Sequence, residues 1–256
     1  NTYFVYCSDN GRPFPRCKTY LYDSGIRTPL IVLGPGVTPG RTQSMVSSID
    51  FAPTFLDLAG VAKPPTVQGV SFAPVLRDPL ATVRDAAFSE RNWHVFQLHE
   101  RAVRTDDWLY IWNAWPDRHN VCVESAGFNF PAAKELWEAA GQGRLTPAQA
   151  LLTRKPQPAE MLFRISTDPN QSENLAPLPE HAERLQRMRA LLAQWQDETG
   201  DCVPVKPTPD HQALHGSGGG NVVRGDFPGA ARNADRIDQP GPVSLPKTLS
   251  ATDAGP

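Results

Sequence analysis

The sequence feature that most constrains the fold is a series of short apolar runs, each ended by turn-forming residues. Residues 1–8 are rich in aromatic and β-branched side chains and lead into Asp9-Asn10-Gly11. A second run, residues 28–33, stops at Gly34-Pro35-Gly36. Runs of this length and composition predict strands. Because residues 28–33 are apolar without alternation, we expect a strand buried on both faces of a mainly parallel sheet.

Helical periodicity appears in two places. Residues 47–60 predict a helix, with Ser47 or Ser48 as its N-cap and Gly60 just beyond its end. Pro53 falls in the first turn, where a missing N–H is tolerated. Residues 180–198 predict a second, longer helix, because four large apolar side chains recur on one face. They are Leu185, Met188, Leu192 and Trp195.

After about residue 100 the sequence pattern changes to short strand-like segments. Residues 101–105 and 108–113 are strand-like and flank the turn Asp106-Asp107, which predicts a β-hairpin. Residues 86–90 and 161–165 predict further strands. An antiparallel sheet packed by the helix at 180–198 would form a small α+β subdomain. We therefore divide the chain into residues 1–100, 101–202 and an irregular or disordered tail over 203–256, which is rich in Pro, Gly and Ser.

Composition excludes several functional classes. The 256 residues carry a formal net charge of −2 and no Lys/Arg run, so nothing predicts a nucleic-acid partner. No apolar stretch approaches the ~18–20 residues that span a bilayer, so no membrane association is expected. The four cysteines are scattered, which predicts free thiols rather than a disulfide scaffold.

The sharpest chemical signal follows the first predicted strand. Asp9 and Asn10 offer adjacent oxygen ligands of the kind that Ca²⁺ and Mg²⁺ prefer. Gly11 lets the chain leave the strand there, and both side chains can face one ion only if it does so. Lys18, beyond a Pro-constrained loop, could return as a cation to an anionic substrate. Taken alone, Asp-Asn-Gly is a common turn sequence, and an ordinary turn is then the favoured interpretation.

Four segments in order resemble the sulfatase family, which has an alkaline-phosphatase-like fold. They cover roughly residues 3–200 and lie closest to the heparan N-sulfatase (sulfamidase) branch. The resemblance implies an α/β fold, with a partial mixed sheet followed by the small α+β subdomain, and identifies the chain as the C-terminal part of such a protein. The matching segments are residues 6–32, with Asp9-Asn10-Gly11 and the basic position Lys18, residues 48–60, residues 68–76 and residues 162–176.

The resemblance also implies roles and partners. Asp9 and Asn10 would be two Ca²⁺ ligands, and Lys18 would be the catalytic cation that contacts the sulfate group. The substrate would be an N-sulfated or O-sulfated sugar. Family habit suggests a periplasmic, extracellular or lysosomal setting, and a homodimer is left open.

Histidine and arginine near residue 100 form a second candidate site. His94 and Arg101 occupy a segment that in the sulfamidase branch contains a histidine followed by an arginine, so we predict substrate contacts for both. His94 is favoured over His99. For Arg101, an ordinary strand position is the alternative. Trp108, Trp112 and Trp115 could stack on sugars, although at this spacing packing within the subdomain is the favoured explanation.

The nucleophile of the family is missing from this sequence. Sulfatases use a formylglycine made from Cys or Ser in C/S-x-P-x-R, and Cys202-Val203-Pro204-Val205-Lys206 ends in Lys and lies in the tail. We therefore expect the chain to be one part of an enzyme, inactive by itself. The alternatives are a sulfatase-derived binding module without catalysis and a related phosphohydrolase or phosphonate hydrolase, for which the histidine pattern is wrong.

Overall fold

The computed structural model describes residues 1–93, 96–118, 120–126 and 130–207, and within them the chain forms two antiparallel sheets. The smaller sheet pairs two strands, β1 (Phe4–Cys7) and β2 (Leu30–Leu33). The larger contains four strands in chain order: β3 (Ala87–Trp93), β4 (Gln97–Arg104), β5 (Trp108–Asn113) and β6 (Glu160–Arg164). The predicted hairpin around Asp106-Asp107 is confirmed as β4 and β5.

Seven α-helices are described. They are α1 (Asp23–Ile26), α2 (Phe51–Leu58), α3 (Ala73–Arg77), α4 (Val123–Ala126), α5 (Pro131–Gly141), α6 (Pro147–Thr153) and α7 (Ala182–Thr199). The predicted helix at 47–60 is confirmed as α2 with a preceding 3₁₀ turn, and Ser47 forms a capping box with Asp50. A second 3₁₀ turn, Pro179–His181, leads into α7, which is the predicted final helix. None of the described helices is long and apolar enough to cross a membrane.

The small sheet has an uncovered apolar face. In its register Phe4 lies opposite Leu33, and Tyr6 lies opposite Ile31. These four side chains are 67%, 62%, 65% and 54% exposed, in that order. The prediction that residues 28–33 are buried on both faces of a mainly parallel sheet is wrong for the described chain. An apolar run reports that a strand favours burial, but not whether anything covers it.

The large sheet is buried on both faces. On one face α7 packs Leu185, Met188 and Trp195 against Val103 and Leu162. On the other face, α5 and α6 and the loop before α1 cover the sheet. The core there comprises Tyr20, Tyr22, Leu109, Ile111, Leu136, Leu152 and Phe163. The sheet therefore anchors the loop that carries Lys18.

The sheet also bears on the domain boundaries. All of β3 and the first half of β4 lie before residue 101, although both strands belong to the four-stranded sheet. A domain boundary at 100/101 would therefore cut through β4. The tail predicted for 203–256 lies outside the described residues from position 208 onward.

Candidate functional site

The turn after β1 presents Asp9 and Asn10 together. Ser8 Oγ donates to the Asn10 carbonyl at 2.9 Å, and Asn10 Nδ2 donates to the Gly11 carbonyl at 2.7 Å, so the amide is oriented by its own turn. The Asp9 side chain is exposed and accepts no hydrogen bond from the described residues. A carboxylate and an amide oxygen thus remain available at one point of the chain.

Gly11 is required here by a close backbone approach. Its N–H donates to the Gly25 carbonyl at 3.0 Å, which closes residues 11–25 into a loop. A Cβ on Gly11 would lie 2.1 Å from the Ser24 carbonyl oxygen. Any side chain at this position would therefore force the loop open, because real Cβ contacts are never that short.

The same loop carries Lys18, whose backbone is tied to the start of the loop. Its N–H donates to the Arg12 carbonyl at 3.0 Å. Two residues that flank it, Arg16 and Thr19, have positive φ of 66° and 70°, a conformation that persists in non-glycine residues only when the surroundings impose it. Arg16 supplies such contacts: its guanidinium lies 3.7 Å from the centre of the Tyr22 ring, and Nη1 donates to the Asn170 carbonyl at 2.7 Å. The predicted contact of Lys18 with an anionic substrate stays a prediction.

Sequence reasoning missed the partner of Lys18. Its ammonium Nζ lies 3.4 Å from Glu124 Oε1, on α4. The Lys18 side chain is 31% exposed and that of Glu124 only 6%. Helix α4 has four residues and no apolar periodicity, so no sequence signal linked it to a loop more than a hundred positions earlier.

A buried network fixes α4 beneath the loop. Tyr20, two residues after Lys18, donates its hydroxyl to the Asn120 carbonyl at 2.8 Å and lies 2.9 Å from Ser125 Oγ. Burial raises the pKa of the Tyr20 hydroxyl far above its ordinary value, so it stays protonated as a donor. Asn120 Nδ2 in turn donates to Glu100 Oε1 at 3.0 Å on β4. The loop, α4 and the large sheet therefore form one connected unit.

Arg101 is buried and fully engaged by the chain itself. Its Nε and Nη2 donate to the two carboxylate oxygens of Asp201 at 2.9 and 2.6 Å, and Nη1 donates to Asn92 Oδ1 at 2.7 Å. The guanidinium is 0% exposed and the Asp201 side chain 3%. Arg101 thus ties β4 to the segment that follows α7. Its predicted contact with substrate stays a prediction, and such a contact would have to displace these acceptors.

His94 lies outside the described residues, so its predicted substrate contact stays a prediction. His99 is described, on β4, with its ring edge-on to Trp112 at 5.9 Å between centroids. Neither ring nitrogen has a hydrogen-bond partner within the described part of the chain, and the residue is 0% exposed. Burial, followed by the nearby Arg101 cation, lowers the pKa of His99 to about 4. The Trp112 and Trp115 rings lie against this histidine, which accords with the packing alternative.

Other family-like segments serve the fold. Asp50 is 0% exposed and accepts from the Ser47 and Val70 N–H groups at 2.8 and 2.9 Å and from Arg84 Nε at 2.9 Å. Asn174 accepts from the Leu162 N–H at 2.9 Å and donates to the Glu160 carbonyl at 3.0 Å. These motif positions are explained by buried hydrogen bonds, whereas Asp9 is not.

The donor set fits part of a cation site. Asp9 and Asn10 supply hard oxygens without competing partners, as Ca²⁺ requires, but Ca²⁺ takes roughly six to eight oxygens. Among the described residues, no group of three or more His, Cys, Asp or Glu side chains could hold a metal. The remaining ligands of such an ion would have to come from elsewhere. All four cysteines are free thiols, as predicted.

Solved structures share this fold. The structure of BT4656 in complex with its substrate D-glucosamine-2-N,6-O-disulfate covers 76% of this chain and 34% of its own, with a TM-score of 0.55 and 24% identity. The structure of BT1596, a 2-O glycosaminoglycan sulfatase, covers 92% of this chain and 43% of its own, with a TM-score of 0.54 and 20% identity. The fold is thus the alkaline-phosphatase-like α/β fold of sulfatases.

Sequence comparisons agree with that class. Residues 16–117 match the family described as N-sulphoglucosamine sulphohydrolase, C-terminal. An ulvan-active sulfatase of Formosa agariphila is 30% identical over 203 residues, 78% of this chain and 34% of the relative. The N-sulphoglucosamine sulphohydrolase of Homo sapiens is 29% identical over 250 residues, 84% of this chain and 47% of the relative.

Together these similarities support a C-terminal portion of a sulfatase as the identity of the chain. It spans between a third and a half of the length of these two relatives.

Proposed function

We propose that this chain forms the calcium- and sulfate-contacting part of a sulfatase that removes sulfate from N-sulfated or O-sulfated sugars. The observation that carries the proposal is the loop closed between Gly11 and Gly25. Asp9 and Asn10, whose side-chain oxygens have no partner among the described residues, directly precede this loop, and the loop carries the partly exposed cation Lys18.

Each side chain has a distinct part in the chemistry. Asp9 and Asn10 would hold Ca²⁺, which when bound supplies positive charge against the sulfuryl oxygens. Lys18 Nζ donates a hydrogen bond to a sulfate oxygen, and its positive charge stabilises the negative charge that develops as the S–N or S–O bond breaks. Because the loop is pinned through Arg16 and Tyr20, this donor is positioned before substrate arrives.

The proposal needs groups that this sequence does not contain. No C/S-x-P-x-R motif occurs in it, so the formylglycine nucleophile and the other calcium ligands would be supplied by polypeptide beyond the 256 residues. The uncovered apolar face of β1 and β2 supports this, since an enzyme of this fold would cover it.

Relatives suggest the substrate class. A glucosamine carrying 2-N and 6-O sulfates is the substrate of BT4656, and ulvan is that of the Formosa enzyme. The sulfamidase-type family match favours an N-sulfated glucosamine for this protein. His94 and Arg101 remain our proposed substrate contacts, with His94 the stronger of the two because the donors of Arg101 are already engaged.

The test is sulfate release by the product of the whole reading frame that encodes this chain. We expect turnover of glucosamine N-sulfate and of a small arylsulfate, and loss of that turnover when Ca²⁺ is chelated. A frame that contains a C/S-x-P-x-R motif but releases sulfate from neither compound would contradict the proposal.

A second candidate is a binding module without catalysis, which the missing nucleophile motif favours. It predicts that the protein from the whole frame binds glucosamine N-sulfate without turning it over and that the frame encodes no C/S-x-P-x-R. Detection of free sulfate in the binding mixture separates the two candidates.

A further inference from the structure

The ion pair between Lys18 and Glu124 is the one feature at this loop that the proposed function does not use. Glu124 is 4% exposed as a residue, and its Oε2 atom is buried without a hydrogen-bond partner. Lys18 is therefore the one cation that the described residues bring to this carboxylate. The partly exposed ammonium of Lys18 thus has a buried carboxylate directly behind it.

Lys18 cannot leave Glu124 in order to reach a ligand. Its departure would strand a buried carboxylate with no partner on either oxygen, which is among the least favourable arrangements in a protein interior. The carboxylate cannot follow, because α4 is held from both sides: Ser125 by the Tyr20 hydroxyl at 2.9 Å, and the Ser125 carbonyl by Trp137 Nε1 at 2.6 Å. Any anion that Lys18 binds must share the ammonium with Glu124.

We propose that Glu124 is a positioning residue that sets the charge felt by a bound sulfate group, so that the site favours a monoanion over a dianion. The proposal rests on the proposed function, in which Lys18 contacts sulfate. A sulfate ester or a sulfamate carries one negative charge, whereas the product, inorganic sulfate, carries two at neutral pH. Repulsion from Glu124 acts on both but is doubled for the product. The pair would therefore weaken the hold on product more than the hold on substrate and favour its release.

The test measures anion affinity of the protein from the whole reading frame by calorimetry or NMR titration, with sodium sulfate as the dianion and sodium methyl sulfate as the monoanion. Glu124→Gln removes the charge and keeps the shape. We expect it to tighten inorganic sulfate about tenfold, and methyl sulfate by roughly the square root of that factor, since Coulomb energy scales with charge. A merely structural role of Glu124 would weaken both anions.

Two control variants make the outcomes distinct. Glu138→Gln alters an exposed pair with Lys134, at 3.9 Å, and should leave both affinities unchanged. Lys18→Met should weaken both anions. If Lys18→Met changes neither, the sulfate contact of Lys18 in the proposed function fails. If Lys18→Met weakens binding but Glu124→Gln leaves it unchanged or weaker, only the role of Glu124 is overturned.

A second measurement avoids a variant that fails to fold. In the unaltered chain, the ¹³C signal of the Glu124 carboxyl should shift when sulfate is added, because one ammonium serves both anions. Saturation with sulfate, seen at Lys18, without movement of the Glu124 signal would overturn the proposal.

Discussion

The two sheets of this molecule differ in how much of their apolar surface the described residues cover. The four-stranded sheet is covered on one face by α7 and on the other by α5, α6 and the residue 9–25 loop. The two-stranded sheet presents Phe4, Tyr6, Ile31 and Leu33 to solvent at more than half exposure each. The turn after β1 carries a carboxylate, Asp9, for which the described residues offer no partner.

The difference separates residues that serve the fold from residues kept for a ligand. Buried polar groups such as Asp50 and Arg101 have their hydrogen bonds completed inside the chain, as folding demands. Asp9 and Asn10 contribute little to that interior. Polar groups left uncommitted next to a closed loop that carries a cation are the expected signature of a site completed by something else.

The largest effect on the free energy of unfolding should come from the buried ion pair between Arg101 on β4 and Asp201 after α7. Arg101→Ala leaves the buried Asp201 carboxylate unpaired, and we expect a loss of about 3–5 kcal/mol in the free energy of unfolding. The measurement is urea unfolding followed by tryptophan fluorescence. Lys134→Ala, which breaks an ion pair whose side chains are 56% and 50% exposed, should cost no more than about 0.5 kcal/mol. Equal costs would remove the distinction between the regions.

A pair of truncations compares the two sheets directly. Leu162→Ala, at a fully buried position of β6, should cost about 2–5 kcal/mol because it leaves a cavity. Ile31→Ala, at a position 54% exposed on β2, should stay within about 0.5 kcal/mol in the 256-residue chain. In the protein from the whole reading frame the Ile31 substitution should become costly. An equally small effect there would mean that the face stays uncovered.

Acid should weaken the large sheet through His99. The folded-state pKa, about 4, lies below the ordinary value of 6.5, so the unfolded chain binds the extra proton first as the pH falls. Stability from the neutral ring is therefore present above pH 6.5 and is lost on the way down to about pH 4. Between pH 7 and pH 5 we expect a loss of about 2 kcal/mol that His99→Phe abolishes. Parallel pH profiles of the two proteins would show that His99 is not the cause.

Periodicity and turn residues predicted the elements that are governed by local sequence. The i+3 and i+4 spacing of Leu185, Met188, Leu192 and Trp195 predicted α7, and Asp106-Asp107 predicted the turn between β4 and β5. The Asp9, Asn10 and Lys18 positions came from the resemblance to sulfatases. The exposure of β2 could not be predicted, because strand composition does not report what lies opposite.

The pairing of Glu124 with Lys18 is a second feature that could not be predicted from the sequence. Glu124 pairs with Lys18 through tertiary packing that Tyr20, Asn120 and Ser125 arrange, and no spacing in the sequence encodes that contact. For Arg101, its place in a family-like segment predicted a contact with substrate, and that contact stays a prediction. The structure adds what the sequence did not show, namely that the buried guanidinium pairs with Asp201.

The most direct test of the account is the effect of Asp9→Ala on sulfate release by the protein from the whole reading frame. Asp106→Ala, which alters an exposed turn carboxylate, is the matched control. We expect Asp9→Ala to lower kcat/KM for glucosamine N-sulfate by at least about 100-fold, as loss of charge stabilisation typically does, while Asp106→Ala retains full activity. Unchanged turnover in both variants would contradict the placement of the site at this loop.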